Sequence, residues 1–378
     1  MHVLLITTAY KNKFNPVNSL FYFDQAKALL SNGCKVGVIC PMPITIPNIL
    51  KSKRFDFSDE FYNDSGIPTY VKPFISYPKL KKRTARVRLE KGKQLFKKYI
   101  EENGTPDIIH VHTFLAGEIA IWIKETYKIS YIVTEHSSGF VRNNYNKNAI
   151  DLAEEVYSKS QHNVAVSEPF CALLTDKFRK QFTYIPNVVD THFFKPQLKK
   201  AENKIFTFLN IANLDKNKNQ IGLIKAFKKT FFGQENYHLR IVGDGPEFKK
   251  LSAFINNEEL NSQVHLLGRQ KRDQVKLEIQ RSDCFVLSSF HETFGVVLIE
   301  AMSCGVPVIS SKSGGPESII TDSKLGVLCD LENLEHELLK ITNAEFDSSY
   351  IRKYVIDNFS EDVISSRLIS IFKESKNS

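Results

Sequence analysis

The chain has 378 residues, more than one hydrophobic core usually organises, so we expect two domains of ordinary size. Apolar residues make up 42% and charged residues 25%, which is typical of a globular protein and argues against a disordered, fibrous or membrane-spanning chain. The six cysteines are scattered without a C-x-x-C pair, which argues against a zinc site or a disulfide framework and predicts buried thiols. No signal-peptide pattern surrounds the apolar run Val3–Ile6, so we interpret it as the first strand of a cytoplasmic protein.

The net charge of +9 is concentrated in one segment, Lys79–Lys98. It holds ten Lys or Arg and the single acid Glu90, and apolar residues such as Leu95 and Phe96 stand beside them. Such a segment could bind an anionic membrane at the inner face of the plasma membrane, where each basic residue contributes about 1 kcal/mol. The alternative is a solvated helix face, and both interpretations stay open. Nucleic acid is not expected, because no matching motif accompanies the charge.

Short apolar runs alternate with segments of helical period along the first half, which is typical of βαβ units and a parallel sheet. The predicted strands are Val3–Thr7, Val36–Ile39, Ile108–Val111, Tyr131–Thr134, Asn163–Val166 and Thr183–Ile185. The predicted helices are Leu20–Ser31 and Ala116–Tyr127. The polar, lysine-rich stretch Gln197–Lys204 predicts an exposed linker.

The same pattern restarts after the linker. The predicted strands are Phe206–Ile211, Leu239–Val242, Val264–Leu267, Cys284–Leu287 and Val306–Ser310. The predicted helices are Gln220–Lys229, Pro246–Ile255, Arg272–Arg281 and Val296–Ser303. We therefore predict an α/β protein with an N-terminal domain over 1–195, a linker over 196–204, a C-terminal domain over 205–358, and a last helix over 359–378 that returns to the first domain. Ligands are expected at the carboxyl ends of the strands.

The most informative segment is Ser288–Met302, which follows a strand, passes through a glycine turn and opens a helix. Free backbone N–H groups at such a helix start can meet an anion or sugar oxygens. The residues that would offer them are Phe294, Gly295 and Val296. Glu292 precedes the turn and Glu300 follows it on the helix. One carboxylate suits sugar hydroxyls or a developing positive charge, and the other suits ribose hydroxyls.

Together with the following Gly305–Ile309, this segment resembles the Glu-x(7)-Glu motif of retaining glycosyltransferases of the GT-B type, in glycosyltransferase family 4 (glycosyl transferases group 1). The resemblance covers nearly the whole chain. It implies a GT-B fold, in which two Rossmann-like domains face each other across a deep cleft. It further implies retaining transfer from a UDP- or GDP-sugar to a glycan or lipid-linked glycan in bacterial capsule, O-antigen or exopolysaccharide synthesis. No metal or other cofactor is implied.

The family clamps the nucleotide diphosphate with an arginine and a lysine, and the resemblance maps these onto the segment after the first strand of the second domain. Lys218 matches the lysine, whereas Asn213 stands at the arginine position. The clamp therefore has one cation or is helped by Lys216 or Arg269. A fixed cation there stabilises the charge that builds up on the leaving diphosphate.

Several glycine turns also match the family. The resemblance implies diphosphate binding at Gly314 and Gly315, where glycine allows close backbone approach. It implies contact with the nucleotide base at Gly268 and Arg269, although an ordinary surface loop remains an alternative. The turn Val242–Pro246 is interpreted as mainly structural.

In the first domain, His136 follows a strand and matches a family histidine close to the transferred sugar, where a neutral imidazole can bond a hydroxyl. The resemblance thus makes His136, Glu292 and Lys218 the predicted catalytic residues. His110 and His112 are interpreted as chiefly structural. The loop Ala9–Asn18, with Asn15-Pro16-Val17-Asn18, lacks the family's Gly-Gly pair, and we expect part of the acceptor specificity there.

Two other classes of function remain open. A sugar-nucleotide epimerase or a phosphorylase could use the same fold, and a degenerate transferase could act as a scaffold for polysaccharide assembly. The departure at Asn213 supports the scaffold slightly, and the intact glutamate pair opposes it. A dinucleotide oxidoreductase is disfavoured because Thr7–Tyr10 shows no G-x-G-x-x-G.

Overall fold

The computed structural model describes residues 1–12, 20–45, 57–76, 81–197 and 205–377. Its contacts divide the chain into two compact units. The N-terminal unit comprises Met1–Val188 and Glu361–Ser378, and the C-terminal unit comprises Val189–Ser360. The division after Val188 comes earlier than the predicted domain end at residue 195. Most of the predicted linker, 198–204, lies outside the described residues.

The N-terminal unit is built on an eight-stranded sheet. Its strands are β1 (His2–Ile6), β2 (Lys35–Ile44), β3 (Glu60–Asp64), β4 (Ile67–Ile75), β5 (Ile108–His112), β6 (Tyr131–Glu135), β7 (His162–Ala165) and β8 (Thr183–Tyr184). Their spatial order is β3-β4-β2-β1-β5-β6-β7-β8, and all neighbours are parallel except β3 and β4. The helices that follow in sequence are α1 (Leu20–Ser31), α2 (Lys81–Asn103), α3 (Gly117–Tyr127), α4 (Lys147–Lys159) and α5 (Glu168–Phe178).

The C-terminal unit is built on a six-stranded parallel sheet. Its strands are β9 (Phe206–Ile211), β10 (Tyr237–Val242), β11 (Val264–Gly268), β12 (Cys284–Leu287), β13 (Val308–Ser311) and β14 (Gly326–Cys329). Its helices are α6 (Gln220–Phe231), α7 (Phe248–Asn257), α8 (Arg272–Arg281), α9 (Val296–Ser303), α10 (Leu334–Ile341) and α11 (Ser348–Phe359). The predicted α/β fold with two Rossmann-like units is confirmed.

The strand order of the second sheet is β11-β10-β9-β12-β13-β14, so the direction of winding reverses between β9 and β12. Loops that leave adjacent strands at such a reversal diverge to opposite faces and leave a crevice at the carboxyl ends, where open α/β sheets bind ligands. The loops after Ile211 and Leu287 therefore border this crevice.

The last helix, α12 (Glu361–Asn377), belongs to the N-terminal unit. Ile364, Leu368 and Phe372 are buried in the same core as α1 and β1. Lys376 Nζ forms an ion pair with Asp107 at 2.7 Å. The helix α12 therefore packs on the N-terminal unit.

The basic segment forms helix α2, apart from its first residues, which lie outside the described ones. Leu95, Phe96 and Tyr99 are buried in the N-terminal unit. Arg88 is also buried and faces Glu118 at 3.5 Å. These three apolar residues are therefore core residues and are not available for insertion into a membrane. Among the described helices, none combines the length and apolar character needed to cross a bilayer.

Candidate functional site

The loop after β9 places Lys218 at the carboxyl edge of the second sheet. Residues Lys216–Lys218 form a single 3-10 turn, and the Asp215 side chain accepts a hydrogen bond from the Asn217 N–H at 2.9 Å. Asn219 then adopts a left-handed φ of 52° before α6 begins. The side chain of Lys218 is 21% exposed. The turn thus presents a half-buried ammonium beside the end of β12.

The loop after β12 is bonded directly to this turn. Ser288 Oγ donates to the Lys218 carbonyl at 3.0 Å, and the Phe290 N–H donates to the Asn217 carbonyl at 2.8 Å. In return, Asn217 Nδ2 donates to the His291 carbonyl at 2.9 Å. These bonds fix the two loops of the reversal point relative to each other.

Lys218 and Glu292 meet at this junction. Lys218 Nζ forms an ion pair with Glu292 Oε1, and Ser289 Oγ donates to the same oxygen at 2.7 Å. The Glu292 side chain is 13% exposed, so the pair is largely shielded from bulk water. Partial burial strengthens such a pair relative to a surface one. The site therefore holds a cation suited to phosphate and a carboxylate suited to sugar hydroxyls.

The turn at Gly314 and Gly315 is tied to Glu292. The Gly315 N–H donates to the Glu292 carbonyl at 2.9 Å, and the Gly314 N–H donates to the Glu317 carboxylate at 2.9 and 3.0 Å. A Cβ at Gly315 would overlap the backbone N of Phe294. Glycine is thus needed here for close approach of two protein loops. A diphosphate would have to replace the Glu317 carboxylate to reach the Gly314 N–H, so the predicted contact stays a prediction.

The predicted helix start is present: Gly295, with a φ of 105°, precedes α9. As glycine has no side chain to cap the helix, the first N–H groups of α9, beginning at Val296, need another acceptor. The Phe294 side chain is buried and packs against Phe359, so only its backbone could meet a ligand. Glu300 lies on α9 and is partly buried. Its predicted contact with ribose stays a prediction.

The structure places the remaining donor-binding candidates in separate loops. Asn213 is exposed, and its carbonyl accepts a hydrogen bond from Gln220 Nε2 at 3.2 Å. Gly268 ends β11 with a φ of 66°, and Arg269 after it is exposed. Among the described residues, the hydrogen bonds around Lys218 include no second cation that would stand in for the missing clamp arginine. The predicted contact of Gly268 and Arg269 with the nucleotide base stays a prediction.

The turn at Gly243 and Gly245 fits the structural interpretation. A Cβ on Gly243 would overlap the Ala212 carbonyl, and a Cβ on Gly245 would overlap the Leu214 carbonyl. The loops after β9 and β10 therefore pack backbone to backbone, which only glycine allows.

In the N-terminal unit, His136 belongs to a histidine cluster in which His110 and His112 are fully buried and His136 is partly buried. His112 Nδ1 and His136 Nε2 lie 3.0 Å apart and share one hydrogen bond, and His110 Nε2 bonds Thr134 Oγ1 at 2.8 Å. Burial lowers the pKa of His136 and of His110 to about 3, and it lowers the pKa of His112 well below its usual value. All three imidazoles are therefore neutral at physiological pH. This is the form assumed for His136 in the prediction, while its contact with the sugar stays a prediction.

Glu135, the residue before His136, fixes this strand end. Its carboxylate accepts from the backbone N–H groups of Phe114, His136 and Ser137 and from the Tyr157 hydroxyl, at 2.7 to 3.0 Å. Burial raises the pKa of Glu135 in spite of these four donors. The network holds the backbone of His136 in place.

Three side chains of the site have no role predicted from the sequence: Ser288, Ser289 and Asn217. Their hydrogen bonds depend on loops that are distant in sequence. The only sequence signal for them is their position directly after a predicted strand or within the clamp segment. Residues 13–19, which include most of the predicted N-terminal loop, lie outside the described residues.

Comparison with known proteins covers both units. Residues 21–193 match the family model described as Glycosyltransferase Family 4, and residues 190–362 match the one described as Glycosyl transferases group 1. The chain belongs to glycosyltransferase family 4. The predicted family and the predicted GT-B fold are thereby confirmed.

Two relatives illustrate the family. An N-acetyl-alpha-D-glucosaminyl L-malate synthase of Bacillus anthracis is 30% identical over 239 residues, which cover 60% of this chain and 61% of that protein. A putative teichuronic acid biosynthesis glycosyltransferase of Bacillus subtilis is 25% identical over 341 residues, which cover 84% of this chain and 83% of that protein.

Solved structures share the fold over the whole chain. A sucrose-phosphate synthase from Thermosynechococcus elongatus superposes with a TM-score of 0.78 at 18% identity and covers 99% of each chain. An Anabaena protein solved in complex with UDP superposes with a TM-score of 0.73 at 17% identity, covering 99% of this chain and 100% of its own.

Proposed function

We propose that this family 4 glycosyltransferase transfers a sugar from a UDP- or GDP-sugar to a hydroxyl of a glycan or lipid-linked glycan, with retention of configuration. One observation carries the donor site: Lys218 and Glu292 form an ion pair at the reversal point of the second sheet. Open α/β sheets bind ligands there, and this pair offers a cation for phosphate and a carboxylate for a sugar.

The proposed reaction begins with an exchange of partners. Lys218 leaves Glu292 for the donor diphosphate, where it stabilises the charge that develops as the bond between sugar and phosphate breaks. Glu292 then meets the sugar, and Glu300 binds the ribose. The acceptor hydroxyl attacks from the face that the diphosphate leaves, and its proton passes to the departing phosphate oxygen. No metal takes part in this proposal.

The relatives support this class of reaction. The Anabaena structure contains UDP, and the Bacillus subtilis relative is named for teichuronic acid biosynthesis. The Bacillus anthracis relative is named for synthesis of a glucosaminyl malate. The two Bacillus names point to different products and therefore do not define an acceptor for this chain. We propose a bacterial cell-surface glycan acceptor on the family resemblance.

A panel of UDP-, GDP- and ADP-sugars tests the donor. A ligand that binds only the folded protein at about 100 times its Kd stabilises it by about 2.7 kcal/mol, so the correct donor should raise Tm. No rise with any donor would favour the scaffold. Incubation of that donor with candidate acceptors should release nucleotide only when an acceptor is present, whereas an epimerase would need no acceptor. NMR of the product should show the anomer of the donor, and inversion would refute retention.

We further propose that the exposed basic face of α2 binds anionic lipid at the inner face of the plasma membrane. Lys82, Arg83, Arg86 and Lys97 are exposed along this helix. Only residues 76–80 separate β4 from α2, so the helix begins at the carboxyl edge of the first sheet, the edge at which His136 lies. Because Leu95, Phe96 and Tyr99 of α2 are buried in the core, we expect the attraction to be mainly electrostatic and to weaken with salt.

Sedimentation with vesicles tests this contact. The wild type should sediment with phosphatidylglycerol vesicles at low salt, and much less with phosphatidylcholine vesicles or at high salt. Lys82→Glu with Arg86→Glu should abolish binding. The matched control is Lys249→Glu with Lys271→Glu, which reverses two exposed lysines of the C-terminal unit. Equal loss in both double variants would leave the basic stretch as a solvated helix face.

A further inference from the structure

A buried serine holds the carboxylate of the donor site. Ser289 has no exposed surface, and its hydroxyl lies 2.7 Å from Glu292 Oε1. A hydroxyl that donates to a carboxylate in a water-excluded position forms one of the stronger hydrogen bonds in proteins, because no water competes for either group.

The backbone on both sides of this bond is fixed by the loop after β13. Ser311 Oγ donates to the Ser289 carbonyl at 2.5 Å, and the Glu292 N–H donates to the Ser313 carbonyl at 2.9 Å. Ser311 and Ser313 are themselves buried. Ser289 is therefore held rigidly enough to orient a partner.

The two donors to Glu292 converge on one oxygen. Lys218 Nζ and Ser289 Oγ both contact Oε1, and no side chain of the described residues bonds Oε2. Two donors on Oε1 leave Oε2 with its lone pairs for another ligand.

We propose that Ser289 is a positioning residue that holds Glu292 Oε1, so that Oε2 meets a hydroxyl of the bound sugar. This inference rests on the proposed function. Once Lys218 has moved to the diphosphate, the serine hydroxyl is the donor that remains on Oε1. It keeps the carboxylate in the orientation that the sugar requires, without contacting the substrate itself.

The test compares three variants in the full chain. Ser289→Ala should lower kcat about tenfold, the loss expected for one hydrogen bond to a charged group, while Kd for UDP or GDP stays within twofold. Ser289→Thr keeps the hydroxyl and should recover most of the activity. The matched control is Ser310→Ala, since Ser310 is equally buried and its hydroxyl donates to the Ser311 carbonyl at 3.2 Å, away from Glu292.

A double-mutant cycle separates positioning from general stability. In a Glu292→Gln background, Ser289→Ala should change the residual kcat less than twofold, because the orientation it protects is already lost. If that kcat is too low to measure, the comparison of Ser289→Ala with Ser289→Thr and Ser310→Ala decides. If Ser289→Ala does not fold, Ser289→Cys replaces it, since the thiol is a weaker donor of similar shape.

The outcomes are distinguishable. Equal kcat in Ser289→Ala and Ser310→Ala, or an undiminished effect of Ser289→Ala in the Glu292→Gln background, would overturn the positioning role alone. A wild type that transfers no sugar from any donor would overturn the proposed function as well.

Discussion

Replacing Lys218 with Met should lower kcat by about a hundredfold to a thousandfold and weaken the binding of UDP or GDP. Loss of one preorganised donor to a developing negative charge typically costs this much. The loss should be at the upper end here, because Asn213 occupies the position where the family carries a second cation. Steady-state kinetics with the identified donor, together with calorimetry of the nucleotide, measure both quantities.

The partner variant should behave differently. Glu292→Gln should also depress kcat, but it should leave nucleotide affinity equal or increase it, because Lys218 no longer has to break an ion pair before it binds phosphate. Lys225→Met removes an exposed lysine of α6 and is the control for charge loss. Unchanged kcat in both site variants would overturn the donor site.

The free energy of unfolding of the N-terminal unit should fall steeply as the pH drops below about 6.5. His110, His112 and His136 have lowered pKa values in the folded protein, so the unfolded chain binds their protons first. Each can contribute up to about 1.4 kcal/mol per pH unit between its unfolded and folded pKa. The stabilisation is therefore present above pH 6.5 and is lost progressively toward pH 3. Glu135 has the opposite effect on the free energy of unfolding, because burial raises its pKa and the folded chain binds its proton first. This single carboxyl cannot cancel the effect of three histidines.

Fluorescence can follow this unit alone, because the single tryptophan, Trp122, lies in α3. Urea titrations from pH 7 downward should show a decreasing free energy of unfolding. Its slope against pH should correspond to the uptake of more than one proton on unfolding. His110→Asn should reduce that slope by about one proton even if it destabilises the unit at pH 7. His336→Gln, at an exposed position of the C-terminal unit, is the control. A slope unaffected by His110→Asn would contradict the burial of a neutral imidazole.

Helices with a clear apolar period could be predicted closely from the sequence. The predicted bounds of Leu20–Ser31, Arg272–Arg281 and Val296–Ser303 agree with the structure. In these segments local propensity, helix ends and the buried face all favour the same structure, so tertiary packing had nothing to override.

The edge of the first sheet could not be predicted. Strands β3 and β4 were missed, and β2 continues to Ile44 through Pro41 and Pro43, which normally exclude a central strand. The structure explains the exception. The Ile39 carbonyl accepts a hydrogen bond from the Thr7 N–H, so the backbone polar groups of Ile39 face β1. Because these groups alternate along a strand, the backbone nitrogens of residues 41 and 43 face the same side, beyond the end of β1. Because no strand among the described residues lies opposite them, the missing N–H groups cost no ladder bond there.

Part of the site followed from the family motif, and part did not. The meeting of Lys218 with Glu292 is consistent with their predicted roles, because both positions follow strands that adjoin at the reversal point. The hydroxyl of Ser289 and the carboxylate of Glu317 could not be placed, because their bonds depend on side-chain orientation across loops. For Gly314 and Gly315 the sequence predicted contact with a ligand, whereas the described contacts of their N–H groups are to protein acceptors.

Because α12 completes the core of the N-terminal unit, that unit is assembled from two stretches of chain with the whole C-terminal unit inserted between them. The two ends of the inserted unit are bonded to each other, since the Val189 N–H donates to the Phe359 carbonyl at 3.0 Å. Residues 1–188 therefore leave the ribosome first, but their core can be completed only after the whole C-terminal unit and residues 361–378 have been made. Domain-by-domain folding from the N-terminus, the usual course during synthesis, cannot finish the N-terminal unit of this protein.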